Sequence, residues 1–583
     1  MSGIDWIIMF GTLLAIVGYG VYKTYGPKDM DSYIRGQGNM NWWTIGLSIM
    51  ATQASAITFL STPGEAYESG MRFIQFYFGL PLAMIILSVT FLPMYYKLKV
   101  YTAYEFLENR FDLKTRTLAA LLFLIQRGLA AGITIYAPAI ILSTLLGWNL
   151  TFTNIFIGVL VIIYTVSGGT KAVSITQKQQ MAVMMGGMIL AGILVIQMLP
   201  VNFTDALHVA GKMDKLNVVN FEFKLSDRYN FWSGMTAAVF LFLSYFGTDQ
   251  SQVQRYLTGS TLTQSRMGLM MNGLLKVPMQ FVILFIGVMV FVFYQFFQPP
   301  VVFNKVQTEQ LQNSAFKEDF RFLEEEYTQV FREKGRDIED LLEAVKSDNQ
   351  EGIALAQDGM RKKSQYQESI RNEVKDLIVK NDPTAETRDT DYVFMRFVMD
   401  YLPKGIVGLL FAVIFSAAMS STASELNALG TTSTIDIYKR SISKNSSQYH
   451  YLISSKLFTA FWGIFAILFA TYATLFENLI QAVNLLGSLF YGTLLGIFCV
   501  AFYMKWVKGR AVFIAAILTQ ILIFLIHWKN GGGSLLGITI DIGFLWYNVI
   551  GCLFLMIVAA IIQLGSARVE KRDARDEMRE RGL

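Results

Sequence analysis

Cysteine, histidine and charge are all in short supply along these 583 residues. The two cysteines, Cys499 and Cys552, both fall in apolar runs, which argues against a disulfide framework or a cysteine-built zinc site. His208, His450 and His527 are scattered, so no histidine metal cluster is visible. Charged residues make up 16% of the chain, against roughly a quarter in a soluble domain. No nucleophile–base pair or phosphate loop has usable spacing, so an enzyme is not expected. The net charge of +5 is small for the length, and no nucleic-acid partner is expected. The first apolar run, Trp6 to Val21, has neither a basic leading segment nor a small-residue cleavage pattern, and it reads as a retained helix.

What the chain has instead is apolar sequence, with 53% hydrophobic residues. Runs of roughly 20 apolar residues lie near 4–23, 42–66, 72–96, 117–146, 152–170, 177–200, 231–256, 268–298, 403–429, 450–474, 478–505, 510–528 and 543–565. The expected fold class is therefore an all-α polytopic membrane protein with about 13 transmembrane helices in a lipid bilayer. An outside amino terminus gathers Lys23, Lys28, Arg35, Lys97, Arg110 and Arg116 in inner loops. It does the same for Lys439, Arg440, Lys505 and Lys508, and it leaves the carboxyl terminus in the cytoplasm. A bacterial inner membrane is the expected location.

The expected organisation starts with a peripheral first helix (1–30). Two sets of five spans (42–200 and 231–505), two further helices (510–565) and a charged tail (566–583) follow. Sets of five necessarily start on opposite sides of the membrane, as inverted repeats do in secondary transporters. Each set opens on a span interrupted by polar residues: Ala51-Thr-Gln-Ala-Ser-Ala-Ile-Thr58 and Tyr245-Phe-Gly-Thr-Asp-Gln-Ser-Gln252. Unwound backbone is tolerated at that depth where it lines a protein-enclosed cavity. One polar insertion, 299–392, falls on the outer face. Phe316, Phe320, Leu323, Tyr327 and Phe331, then Tyr366, Ile370, Val374, Leu377 and Ile378, recur there at helical spacing. It is expected to be two or three amphipathic helices: a cap on the outer vestibule, a place for a protein partner, or a solvated hairpin with no further role.

Candidate site residues come from the polar content of the spans. In Phe415-Ser-Ala-Ala-Met-Ser-Ser-Thr-Ala-Ser-Glu-Leu-Asn427, Ala417, Ser420 and Ser421 stand at i, i+3 and i+4. Two hydroxyls and a carbonyl on one side are half of an oxygen cage for a hard cation, or a seam of small residues for close packing. Arg127 lies about 16 Å along its helix from the inner end, near the bilayer centre. It needs a partner there: a substrate carboxylate held in a bidentate fork, or Asp249. Gln53, Ser55 and Thr58, then Thr248, Asp249 and Ser251, then Asn478, Gln481 and Asn484, are further candidate solute ligands, each also able to serve as interhelical glue. Lys276 reads either as a cavity charge or as a snorkelling lysine.

Several of these stretches together resemble the sodium/solute symporter family. They are Tyr101-Thr-Ala-Tyr-Glu-Phe-Leu-Glu-Asn-Arg-Phe111, Tyr164-Thr-Val-Ser-Gly-Gly-Thr-Lys-Ala-Val173, Gly247-Thr-Asp-Gln-Ser-Gln-Val-Gln-Arg-Tyr256, and the Phe415 stretch continued to Ser433-Thr-Ile-Asp-Ile-Tyr438. The resemblance implies the leucine-transporter fold with two inverted five-helix repeats, and sodium as the coupling ion. Carried over by position, it implies a sodium site built from the carbonyls of Ala51, Ala54 and Ala417 and the hydroxyls of Ser420 and Ser421. Ile125-Gln-Arg-Gly-Leu-Ala-Ala-Gly-Ile-Thr-Ile-Tyr-Ala-Pro-Ala139 looks most like the branch that carries iodide, monocarboxylates and vitamins. Gln177 stands where many relatives have an aspartate, which points to a single-sodium cycle. Lys178 beside it would either replace an ion as a protonatable ammonium or snorkel to water. Ser251-Gln252 stands where sugar-carrying relatives have an aromatic gate, which weakens a hexose assignment.

The expected function is sodium-coupled import, by alternating access, of a small polar solute. An organic anion such as a sialic acid, a monocarboxylate or a vitamin is favoured. The alternatives are a sugar or polyol symporter, a proton-coupled carrier using Lys178, and a membrane sensor acting through a partner.

Overall fold

A computed structural model describes residues 1–24, 33–34, 40–98, 100–383, 385, 387, 389–471, 479–530 and 541–580. In lipid the backbone must satisfy its own hydrogen bonds, and the described chain does so with helices. No strand occurs among the described residues, and Met40 and Gly259 make an isolated bridge. Among these residues nine helices are long and apolar enough to cross a membrane, and Gly3–Ile16, Leu150–Ile163 and Ser233–Gly247 are shorter apolar ones.

Each expected apolar run falls on helix, but two boundaries differ. The runs 152–170 and 177–200 belong to one continuous stretch, Leu150–Gln197, bent at Gly169 where φ is +64°. A side chain at Gly169 would lie 2.7 Å from the Tyr33 ring, so glycine allows both the backbone angle and the contact. Such a bend needs no polar loop, and hydropathy does not reveal it. The run 72–96 is in pieces: a 3-10 stretch, Gly70–Tyr77, then helices Leu80–Val89 and Phe91–Leu98.

The Ile406–Thr432 helix is the buried axis of the molecule. It packs against the Gly3–Thr24, Leu113–Leu146, Leu150–Gln197 and Gln448–Ala470 helices. Its amino end is anchored by Asp5, whose Oδ1 accepts from the amides of Gly405 (2.6 Å) and Gly408 (3.3 Å). A carboxylate there satisfies otherwise orphan amides and complements the helix dipole.

The insertion is a hairpin of two long helices, Lys317–Lys346 and Gln350–Asn381. Phe320, Leu323, Tyr327 and Val330 face Ile370, Val374 and Ile378 across its core. Tyr366, on the expected apolar face, is instead half exposed and gives its hydroxyl to Glu326. Farther along, Ile338, Leu341 and Met360 pack on Val209. Gln357 donates to the Lys212 carbonyl (2.7 Å) and Arg361 pairs with Asp214 (2.6 Å), so the hairpin is docked on the loop that follows Gln197. The chain returning from it lands on Gly64 through the 3-10 turn Thr390–Tyr392, where an added Cβ would sit 2.1 Å from the Thr390 carbonyl oxygen. A separate cluster ties helix ends together: Arg116 joins Glu108 (2.7 Å) and Asp436 (2.7 Å), and Arg440 pairs with Glu108.

Candidate functional site

Both expected helix breaks are present. The first separates Trp42–Gln53 from Ala56–Ser69, with Ala54 at φ −84°, ψ 78° and Ser55 extended. The second separates Ala238–Gly247 from Gln250–Tyr256. There Asp249 caps the second piece, its Oδ1 accepting from the Ser251 amide (2.9 Å) and hydroxyl (2.7 Å). The carbonyls freed at the second break are taken by tyrosines, Gly247 by Tyr95 (2.6 Å) and Thr248 by Tyr104 (2.8 Å).

At the first break the oxygens are less tightly committed. Ala51, Ala54, Ala417, Ser420 and Ser421 are all buried, and the Ser420 hydroxyl donates to the Ala51 carbonyl at 3.4 Å, across the two helices. The Ser421 hydroxyl turns back on its own helix, to the carbonyls of Ala417 (3.0 Å) and Ala418 (3.3 Å). All of these ligand candidates are neutral oxygens, a set that suits a hard monovalent cation. Ser421 would rotate away from its helix to join the others.

Gln177 is buried behind this cluster. Its amide nitrogen donates to Thr52 Oγ1 (3.0 Å), Ser424 Oγ (2.8 Å) and the Ser420 carbonyl (3.4 Å), and its oxygen accepts from Ser48 (2.5 Å). Lys178, one residue on, is exposed. Successive helical residues diverge by about 100°, so burying Gln177 turns Lys178 outward, and the reading of Lys178 as an ion substitute loses its geometry.

A cavity of ≈ 90 Å³ lies beside the first break, lined by Gln53, Ser55, Thr58, Arg127 and Asn484 among others. At ~15 Å³ per water probe this is space for several waters or a small solute. Arg127, 2% exposed, pairs with Asp249 and with Glu425 (3.1 Å) and donates to the Tyr491 hydroxyl (2.7 Å). Tyr491 in turn donates to Asp249 (2.9 Å), and the guanidinium lies 5.3 Å from the Tyr245 ring centre. One cation thus faces two carboxylates inside the bundle. Four polar atoms on this cavity have no hydrogen-bond partner among the described residues: Arg127 Nε, Asn484 Nδ2, Gln53 Oε1 and Glu425 Oε2.

Not every candidate gathers here. Thr248 and Ser251 are spent on the second break itself, Ser251 on Asp249 and the Thr248 hydroxyl on the Ser244 carbonyl (2.9 Å). Gln481 accepts from Arg228 (2.5 Å) at an exposed position, away from the cavity. Asn478 lies outside the described residues. Lys276 is fully buried, its ammonium 5.9 Å from the Tyr77 ring centre and without a hydrogen-bond partner among the described residues, so it does not snorkel. Sequence reasoning missed Glu425, Tyr245 and Tyr491. Glu425 follows Ser421 by one helical turn, and a carboxylate in a membrane span is itself a sign of function.

The model of the sodium:solute symporter family matches residues 33–315 and 377–519. The chain belongs to that family. It is a sodium-coupled transporter of the membrane, with a small-molecule solute, and not an enzyme. It is 26% identical over 569 residues to the sodium/sialic acid symporter SiaT of Proteus mirabilis (strain HI4320), covering 96% of this chain and 94% of that one. To the sodium-coupled monocarboxylate transporter 1 of Xenopus laevis it is 33% identical over 274 residues, 46% of this chain and 43% of that one. The solved substrate-bound, outward-open state of a Na⁺-coupled sialic acid symporter shares its fold, with a TM-score of 0.73 at 24% identity over 96% of this chain and 98% of that one. The symporter therefore has the leucine-transporter-like fold that the resemblance implied.

Proposed function

We propose that the protein imports a small organic anion carrying hydroxyl groups together with sodium, by alternating access. The observation that carries this reading is the set of unpartnered atoms on the central cavity, Arg127 Nε and Asn484 Nδ2 as donors and Gln53 Oε1 and Glu425 Oε2 as acceptors. A carboxylate answers the donors and hydroxyls answer the acceptors, so one solute with both kinds of group satisfies all four. A monatomic anion has no hydrogen to give Gln53. On entry the carboxylate takes Arg127 from Glu425, which holds it at 3.1 Å. The match to SiaT along nearly the whole chain supports an acidic sugar as the solute class.

In this reading sodium sits between the first break and the Ile406–Thr432 helix, on the carbonyls of Ala51, Ala54 and Ala417 and the hydroxyls of Ser420 and Ser421. It ties the two elements together next to the solute cavity, which couples the two binding events. The Gln177 amide donates into the hydroxyl cluster behind the site and brings no negative charge, which supports one sodium per cycle. The basic inner loops support an outside amino terminus and a cytoplasmic carboxyl terminus, in a bacterial inner membrane. Two inverted repeats, 42–200 and 231–505, remain our reading of the organisation. The insertion then lies on the extracytoplasmic side, and we assign it to the solute path rather than to a protein partner.

Thermal unfolding of the purified protein tests this. N-acetylneuraminate should raise the Tm in sodium and not in potassium, and Arg127→Met should abolish the shift. A second reading, a neutral polyol, draws on the two carboxylates that already balance Arg127. A rise in Tm with glucose that survives Arg127→Met would establish it and overturn the anion.

A further inference from the structure

A larger cavity, ≈ 390 Å³, lies between the insertion and the bundle. Its floor is Tyr67 and Glu68 from the first broken helix and Phe291 and Tyr294 from the Leu262–Phe296 helix; its roof is the helical hairpin. Four cations face it, Lys215, Lys334, Arg371 and Lys375, with three carboxylates, Glu68, Glu368 and Asp389. Each carboxylate has a nearer partner than the two remaining lysines: Asp389 has Arg371 (3.0 Å), Glu368 has Lys375 (3.8 Å) and Arg371 (3.9 Å), and Glu68 has the Thr390 hydroxyl (2.9 Å), while Glu68 and Glu368 act on Lys215 only through space.

Two lysines are left facing the cavity without an ion pair among the described residues. Lys334 is 5% exposed and gives one hydrogen bond, to Gln367 Oε1 (2.5 Å). Lys215 donates to the backbone carbonyl of Glu68 (2.5 Å) and stacks 4.6 Å from the Phe291 ring centre. Burial pushes the Lys334 ammonium down to about 7, with the Lys215 charge adding to the effect, and burial takes Lys215 to about 8. Gln367 Nε2 and Ser364 Oγ line the same space without a partner among the described residues. A buried ammonium with a single acceptor, an amide and a hydroxyl with none, and a second ammonium form a site waiting for negative oxygen. The Tyr67, Phe291 and Tyr294 rings, with centroids 5.5 and 6.1 Å from Tyr67, give it an apolar wall.

We propose that this cavity is a second binding site, for a small organic anion whose carboxylate lies between Lys215 and Lys334 and whose body lies on the aromatic wall. The family match stops at residue 315 and resumes at 377, so Lys334, Ser364, Gln367 and Arg371 belong to a part of this chain that the family does not define. The site's place on the solute's inward path rests on the function proposed above; its binding chemistry does not.

The test is calorimetric titration of the full-length purified protein with benzoate, a carboxylate on a flat apolar body, in sodium-free buffer. The Arg127→Met background removes the central grip. Benzoate should bind there, and Lys334→Met or Lys215→Met added to that background should weaken it at least tenfold. Affinity should fall as pH rises from 6 to 9, because the anion favours charged Lys334 and Lys215, whose ammonium groups empty above about pH 7 and about pH 8. Among the facing groups, Arg371 stays charged across this range and the Tyr67, Tyr294 and Tyr327 phenols, raised by burial, stay neutral. Lys334→Met replaces a buried charge with an apolar chain, so it should keep or raise the Tm, which separates loss of binding from loss of fold. Binding unchanged by Lys334→Met, or displaced by an equal concentration of inorganic phosphate, overturns the proposal. If instead N-acetylneuraminate fails to stabilise the wild type while benzoate still needs Lys334, the central reading falls and the outer site stands.

Discussion

The protein breaks two membrane helices and finishes the breaks in opposite ways. At Ala54–Ser55 the neighbouring oxygens are neutral and loosely held, with 3.4 Å between the Ser420 hydroxyl and the Ala51 carbonyl. At Thr248–Asp249 the freed carbonyls are tied off by tyrosine hydroxyls, and a carboxylate caps the next helix while pairing with a buried arginine. The difference follows from electrostatics in a low-dielectric interior. Neutral dipoles can exchange one partner for another at modest cost, whereas a buried charge must keep a counter-charge at all times. In the function proposed above, the first break is the one that takes up and releases an ion. The second is built as a strut, which changes only when something equally charged replaces a member of the Arg127 cluster.

The largest effect expected from this contrast is at the strut. Asp249→Asn preserves the cap but leaves Arg127 with one carboxylate, and breaking a buried pair costs about 3–5 kcal/mol. Glu425 remains and moderates the loss. The Tm should fall by several degrees without sodium or solute. An unchanged Tm would make the two breaks equivalent and remove the distinction drawn here.

How far the sequence foretold this arrangement depends on the range of the interaction. The helices and both breaks were legible, because apolar runs and polar interruptions are local patterns. The pairing of Arg127 with Asp249 was one of two open alternatives, since a membrane arginine must find something. That Glu425 and Tyr491 complete the cluster was not legible: they are 298 and 364 residues away, and no local pattern sets which helix faces which. Gln481 and Ser251 failed as cavity residues for a related reason. Polarity in a span marks a need for a partner, and theirs are Arg228 and Asp249 rather than a solute.

The next effect is at the first break. Ser421→Ala removes a hydroxyl whose present bonds lie within its own helix, so the Tm without sodium should change little. Sodium-dependent stabilisation should weaken by about tenfold in affinity, some 1.4 kcal/mol. A drop in Tm equal with and without sodium would mean that Ser421 packs and does not ligate.

A smaller effect is expected at Glu425. Glu425→Gln keeps the shape of the cluster and leaves Arg127 paired only with Asp249. A carboxylate solute should then meet less repulsion and bind a few-fold tighter, with the sodium response intact. Weaker binding of N-acetylneuraminate in this variant would show that the hydroxyl held by Glu425 outweighs its repulsion of the carboxylate.

The smallest effect is expected at Lys178, and it sharpens the comparison by testing whether the charge next to Gln177 in sequence acts at the first break. Gln177 and Lys178 adjoin in sequence, yet Gln177 is wholly buried among Ser48, Thr52 and Ser424 while Lys178 is exposed. The first break therefore has no fixed charge from either residue, and an ion bound there would come from solution. Lys178→Met should shift stability by no more than about 0.5 kcal/mol, as for an ordinary surface position. It should leave uptake fully dependent on the sodium gradient. Gln177→Asp, by contrast, places a carboxylate where the amide now donates, and sodium affinity should rise while the hydroxyl cluster loses its donor. Uptake from vesicles under a proton gradient alone, present in the wild type and lost in Lys178→Met, would reverse this assignment and make the exposed ammonium part of the transport cycle.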